Sequence, residues 1–149
     1  MAAATTPGPC VVLVVDDDPD LREMLCHVIM SESGCMALAA EHGRHALEIL
    51  ATLTTPPGLI LLDYMMPIMN GRELVEALAV HETYGQIPVV MITAAPESAP
   101  TTRGGLLRKP FMIEAVLTLV EAHCGNCAPR EQPAGKSGSR GALGDEKRR

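Results

Sequence analysis

A doubly wound α/β fold, a five-stranded parallel sheet with helices on both faces, is the class this sequence predicts. Short, unbroken apolar runs alternate with longer amphipathic stretches between residues 10 and 127. The runs are rich in Val, Ile and Leu and lack polar alternation, the pattern of strands buried on both faces. Regular strand–helix alternation makes the strands parallel and the helices their crossovers.

Val11–Val15 is a β-branched run that stops at three aspartates. Asp18 and Pro19 then supply a capping acid and a proline at the first helical position. Leu21, Leu25, Val28 and Ile29 recur at helical spacing until Ser33 and Gly34. Residues 36–40 read as a weak second strand, and 43–53 as a helix with Ala46, Leu47, Ile49 and Leu50 inward. Pro56, Pro57 and Gly58 break that helix. Residues 59–62 are a third buried run, ending at Asp63. Asn70 caps a helix that carries Leu74, Val75 and Leu78. Residues 88–92 form a fourth strand ending at Thr93, and 106–108 a short fifth. Residues 112–124 close the pattern as a helix with Ile113, Val116, Leu117 and Val120 on one face.

A chain of 149 residues has room for one ordinary domain. Its 47% apolar and 20% charged residues exclude a wholly disordered or fibrous protein. Phe111, Tyr64 and Tyr84 are the only aromatics apart from histidine, too few to stack on single-stranded nucleic acid. Residues 1–127 hold six Lys/Arg against fifteen Asp/Glu, and residues 128–149 six against three. An acidic body with a short basic tail is not a DNA-binding surface, so no specific nucleic acid is expected as a partner. Residues 1–9 and 128–149 are poor in apolar side chains and rich in small, polar or proline residues. They are read as a disordered N-terminus and a disordered basic tail around a domain spanning 10–127. Neither a secretory leader nor a membrane span is visible, which points to the cytoplasm. Cys10, Cys26, Cys35, Cys124 and Cys127 are odd in number and unevenly spaced, and are expected as free thiols.

Sites in doubly wound sheets lie past the carboxyl ends of the strands. Asp16, Asp17 and Asp18 follow the first strand, Asp63 the third, Thr93 the fourth and Lys109 the fifth. Carboxylates meeting in one cleft raise each other's pKa unless a cation lies among them. Oxygen ligands without His or Cys point to Mg²⁺. A carboxylate nucleophile, a hard metal, a hydroxyl and a lysine suit uptake of a phosphoryl group as an acyl phosphate. An acid that ends a buried apolar strand serves no structural purpose without a partner. Asp18 reads only as a helix cap, and Met65, Met66 and Met69 as packing residues.

The stretches VVLVVDDDPDLREML, LILLDYMMPIMNG, IPVVMITA and LLRKPF resemble, in this order, the motifs of the two-component response-regulator receiver domain, the CheY-like family. The resemblance covers about residues 10–125. It implies a flavodoxin-like sheet in the order 2-1-3-4-5. It also implies that Asp63 is the phosphoacceptor and that Asp16 and Asp17 are the acidic pair. Mg²⁺ would be held by that pair, Asp17 directly, with Asp63 and the backbone carbonyl of Met65. Thr93 would be the switch hydroxyl, and Lys109, before a cis peptide to Pro110, would contact the phosphoryl group. Pro67 and Gly71 would shape the loop after Asp63, and the small Ala94 would keep Asp63 accessible. The implied function is a stand-alone response regulator, a signalling domain rather than an enzyme. It would take its phosphoryl group from a sensor histidine kinase or histidine phosphotransfer protein and signal by contact with a protein target.

Two departures stand out. Only residues 94–105 join the fourth and fifth strands, and they include Pro96 and Pro100. A regular helix does not fit there, so the fourth helix of the family is expected to be missing or cut to about one turn. The family's aromatic switch position falls on Leu106, which has no ring to swing and no phenolic hydroxyl.

Three rival readings use parts of the same set. A haloacid-dehalogenase-type hydrolase would use Asp16 and Asp18, but it needs an acidic pair after Lys109, where only Glu114 and Glu121 remain before the tail, and it leaves Asp63 unexplained. A phosphorylation-independent interaction module fits Leu106 and the short 94–105 link. A zinc or redox site at His123, Cys124 and Cys127 lacks a fourth ligand nearby, and a frayed helix end with free thiols is the plainer reading.

Overall fold

β1 (Val11–Val15) and β3 (Leu59–Asp63) lie side by side, flanked by β2 (Met36–Ala40) and by β4 (Val89–Thr93) and β5 (Gly105–Arg108). All pairs are parallel and the order is β2-β1-β3-β4-β5. The structure, a computed structural model, describes residues 10–124. Four helices cover the sheet: α1 (Pro19–Val28), α2 (Gly43–Thr52), α3 (Gly71–Ala79) and α4 (Ile113–Cys124).

Successive side chains of a strand point to opposite faces, so each central strand feeds two cores. Leu13, Val15, Ile60, Leu62 and Met91 pack with Ala46 and Leu50 of α2 and with Leu74 and Leu78 of α3. Val12, Val14, Leu59, Leu61, Val90 and Ile92 pack with Leu25 of α1 and with Val116 and Val120 of α4. Burial on both faces is why these strands read as continuous apolar runs. α1 runs on into a single π-helical turn, Ile29–Ser33, which ends at Gly34 with φ 78°. Ser33 donates its hydroxyl to the Ile29 carbonyl at 2.6 Å.

The crossover from β4 to β5 carries one 3₁₀ turn, Pro96–Ser98, and no α-helix, as the two prolines require. The chain closes the gap by hugging the sheet. Thr102 donates its hydroxyl to the Val89 carbonyl at 2.6 Å, and the Gly104 N–H reaches the same carbonyl at 3.0 Å. A Cβ at Gly104 would lie 2.6 Å from that oxygen, so only glycine admits the approach. β5 is left with little cover, and Leu106 is 41% exposed.

Two sequence expectations fail. Cys10 and Cys124 are joined by a disulfide, their Cα atoms 5.9 Å apart across 114 residues. A helix that follows the carboxyl end of β5 runs back to the amino ends of the strands, so the end of α4 meets the start of β1. Cys124 is therefore neither a free thiol nor part of a frayed end. Met66 and Met69 do pack against the core, but Met65 is 70% exposed. The readings made for residues 1–9, 125–127 and 128–149, Cys127 included, lie outside the described residues. Among the described residues no helix is long and apolar enough to cross a membrane.

Candidate functional site

Asp16 directly follows β1, and its backbone extends the ladder to β2 by donating to the Ala40 carbonyl at 3.1 Å. Its Oδ1 accepts the Asp18 N–H at 2.9 Å, and its carbonyl accepts Arg22 Nη1 at 2.8 Å. These bonds fix the carboxylate, which is buried. Asp18 caps α1, its Oδ1 accepting from Asp20 N at 3.0 Å and from Leu21 N at 3.4 Å. The capping role expected for Asp18 is the one it has.

Asp63 ends β3 and is 5% exposed. The loop after it returns tightly, with the Gly71 N–H on the Tyr64 carbonyl at 2.8 Å. A Cβ at Gly71 would stand 2.9 Å from the Asp63 carbonyl oxygen and 2.9 Å from Tyr64 Cα. Asn70 starts α3 with a reciprocal capping box to Glu73, both bonds 2.9 Å. Ile68 in this loop holds φ at 68°, a left-handed conformation that a β-branched residue rarely adopts.

Lys109 follows β5. Its N–H donates to the Thr93 carbonyl at 2.8 Å, and its bond to Pro110 is cis. Its Nζ lies 3.1 Å from Asp63 Oδ1 and 3.9 Å from Asp16 Oδ2. Thr93 is buried at the end of β4, where its Oγ1 accepts the Ala95 N–H at 2.9 Å. Beside Lys109 opens an apolar cleft of about 390 Å³, lined by Leu21, Met24, Ala94, Pro110 and Phe111.

Asp16, Asp17 and Asp63 each offer a carboxylate oxygen, and the three oxygens lie within 4.8 Å of one another. Burial, and then the charge of Asp16, push Asp63 up to about 6, against the hydrogen bond and charge of Lys109. Burial also raises Asp16, although the Asp18 N–H and Lys109 oppose the rise. Burial works against the charge of Lys109, but its hydrogen bond to Asp63 and the surrounding carboxylates outweigh that and raise its pKa. One ammonium thus faces three carboxylates. Asp16 Oδ2 is buried with no hydrogen-bond donor. An orphaned carboxylate oxygen beside two others is what a hard divalent cation complements, so the residues present fit Mg²⁺.

The structure therefore brings Asp16, Asp17, Asp63 and Lys109 together, and sets Thr93 at the adjoining strand end. Met65 lies two residues past Asp63 with its side chain in solvent. Sequence reasoning did not single out Arg22, whose guanidinium secures the Asp16 carbonyl. No motif marks that contact, which arises from the first turn of α1 folding back over the strand end.

The response regulator receiver domain family matches residues 12–121. The phosphate regulon transcriptional regulatory protein PhoB of Pseudomonas aeruginosa is 30% identical over 129 residues, covering 83% of this chain and 55% of PhoB. The DNA-binding response regulator MtrA of Mycolicibacterium smegmatis is 34% identical over 117 residues, covering 74% of this chain and 49% of MtrA. The chain thus spans about half the length of the curated relatives it matches. Among solved structures, the chemotaxis response regulator CheY4 of Vibrio cholerae superposes with a TM-score of 0.66 at 28% identity, covering 76% of this chain and 98% of CheY4. The receiver domain of sensor histidine kinase PA1611 from Pseudomonas aeruginosa, solved with magnesium in its active site cleft, shares the fold at 18% identity with a TM-score of 0.67, covering 79% of this chain and 99% of that one. Sheet order, cleft and family match agree, and they leave the hydrolase reading without support: this chain belongs to the response-regulator receiver domain family.

Proposed function

We propose that the chain accepts a phosphoryl group on Asp63 in a Mg²⁺-dependent reaction, and that it signals by phosphorylation-dependent contact with a protein. The observation that carries this reading is the meeting of Asp63, Asp16, Asp17 and Lys109 in one cleft, with Asp16 Oδ2 left undonated. Asp16, Asp17, Asp63 and the Met65 carbonyl would hold the ion, which would supply positive charge to the phosphoryl oxygens. An Asp63 carboxylate oxygen attacks phosphorus. The bond from phosphorus to the donor, a phosphohistidine nitrogen in a sensor kinase or phosphotransfer protein, breaks as the aspartyl O–P bond forms. The Lys109 ammonium, which is on Asp63 Oδ1 before transfer, turns to a phosphoryl oxygen afterwards. The Thr93 hydroxyl, an acceptor for the Ala95 N–H, still has its own proton to donate to another of those oxygens. The apolar cleft beside Lys109 gives a donor protein a surface to press on.

Intact mass tests this after incubation of the full chain with acetyl phosphate or phosphoramidate, with and without Mg²⁺. One phosphoryl group is expected on the wild type with Mg²⁺, and none on Asp63→Asn or without the ion. A folded wild type that gains nothing would favour a phosphorylation-independent interaction module instead. That second reading draws on the exposed Leu106 and the helix-free β4–β5 link.

A further inference from the structure

At the amino ends of the strands, at the opposite end of the sheet from the aspartates, three cysteine sulfurs converge. Cys10 immediately precedes β1, Cys35 immediately precedes β2, and Cys124 is the last residue of α4. Their sulfurs lie within 4.8 Å of one another. The backbone sets them there. The Met36 N–H donates to the Cys10 carbonyl at 2.9 Å, which puts residues 10 and 35 side by side at the start of the β1–β2 ladder. The Cys35 N–H is held by Ser33 Oγ at 3.2 Å, just past the left-handed Gly34. The Gly58 N–H donates to the Val11 carbonyl at 2.9 Å, which seats Gly58 against the sulfurs. A Cβ at Gly58 would stand 3.2 Å from Cys124 Sγ and closer still to Cys10 Sγ, so the missing side chain makes the room they occupy. Cys35 is buried and the other two are half-buried, in the apolar core that contains Ile29 and Val120.

We propose that, once the Cys10–Cys124 bond is reduced, Cys10, Cys35 and Cys124 form a site for one thiophilic d¹⁰ ion such as Cu⁺, for which three sulfurs are a complete set, or Zn²⁺ with a solvent molecule in its fourth position. Three soft sulfurs in an apolar, partly buried pocket, brought together from the starts of β1 and β2 and the end of α4, select such an ion over Mg²⁺ or Ca²⁺. A dithiol supplies the two electrons: its sulfurs join to each other while Cys10 and Cys124 are released as thiols. The ion then displaces three thiol protons into solvent and forms three metal–sulfur bonds. Oxidised dithiol reverses the sequence, closing the disulfide and expelling the ion. Disulfide and ion are thus alternative ties at one place. Both join β1 to α4, and only the ion recruits Cys35.

The test uses the full chain, reduced with a dithiol, desalted without oxygen and titrated with Cd²⁺ and Zn²⁺. The readouts are thiolate-to-cadmium charge-transfer absorption and bound zinc per chain. One ion per reduced chain is expected, none on the disulfide form, and binding weaker by at least roughly 100-fold in Cys35→Ser, because losing a ligand costs more than losing the outer-shell partner of one. A second measurement needs no variant. Bound Cd²⁺ should protect Cys10, Cys35 and Cys124 from alkylation while Cys26 reacts as before, as read by peptide mass mapping. Unchanged binding in Cys35→Ser, or Cys35 alkylated at the same rate with and without Cd²⁺, overturns the proposal.

Discussion

Asp63 carries its negative charge against burial and against Asp16, and Lys109 only partly offsets both. Its folded pKa of about 6 lies above the unfolded value, about 3.9. Between those pH values the folded chain holds more protons than the unfolded chain, so ion-free stability falls as pH rises through that window. In the proposed site Mg²⁺ would need the ionised carboxylates and so compete with those protons. The rise in Tm that Mg²⁺ confers should be small near pH 5 and grow to a plateau by about pH 7.5, a change of roughly two pH units around the Asp63 transition. Calorimetric melts across that range read it directly, and a Mg²⁺ effect independent of pH would contradict the assignment. Asp63→Asn removes the costly charge. It should raise the ion-free Tm near neutral pH and abolish the Mg²⁺ response. Met65 and Ala95, each two residues past the end of its strand, carry no group that could orient an attacking water. Ala95→Glu should therefore hasten loss of the Asp63 phosphoryl group, by about tenfold or more, as followed by intact mass over time. An unchanged decay would remove water positioning from the explanation.

The loop between β3 and α3 decides where Asp63 points, and its chemistry is local. Asn70→Ala breaks the capping box and should cost about 1 kcal/mol in urea unfolding. Gly71→Ala forces a Cβ against backbone on both sides. It should cost about 1–3 kcal/mol and lower phosphoryl uptake as well, because the atoms displaced belong to Asp63 and Tyr64. Uptake unchanged at reduced stability would separate the loop from the site. These elements are legible in the sequence because each signal is short in range. Asp18 before Pro19, Asn70 three residues before Glu73, and unbroken Val/Ile/Leu runs all act within one turn or one strand. The helix-free β4–β5 link is legible for the same reason, since Pro96 and Pro100 forbid the alternative. The left-handed Ile68 is not legible. Its φ belongs to a γ-turn in which the Met69 N–H donates to the Pro67 carbonyl at 2.7 Å, and nothing about an isoleucine announces it.

At the scale of the whole molecule the parallel sheet has two poles, each gathering residues distant in sequence. The carboxyl pole could be read beforehand. Strand-end residues in a doubly wound sheet must meet, so Asp16, Asp63 and Lys109 could be assigned to one cleft once the strands were placed. The sulfur pole could not. A separation of 114 residues between Cys10 and Cys124 carries no periodic or motif signal, and only the return path of α4 brings them together. Closing so long a loop restrains the unfolded chain by about 4–5 kcal/mol on the chain-entropy account. Reducing the disulfide should accordingly lower Tm by roughly 10 °C or more, and an unchanged melt would show that the tie does not bear on stability. The two poles share one sheet, but the proposed phosphoryl chemistry rests on the carboxyl pole alone. The most direct test of that chemistry is to reduce the phosphorylated chain with borohydride, which converts an aspartyl phosphate to homoserine, and to locate the product by peptide sequencing. Homoserine at position 63 alone, formed only when Mg²⁺ was present during phosphorylation, is the expected result; homoserine at Asp16 or Asp17, or a phosphoryl group that borohydride does not remove, would contradict it.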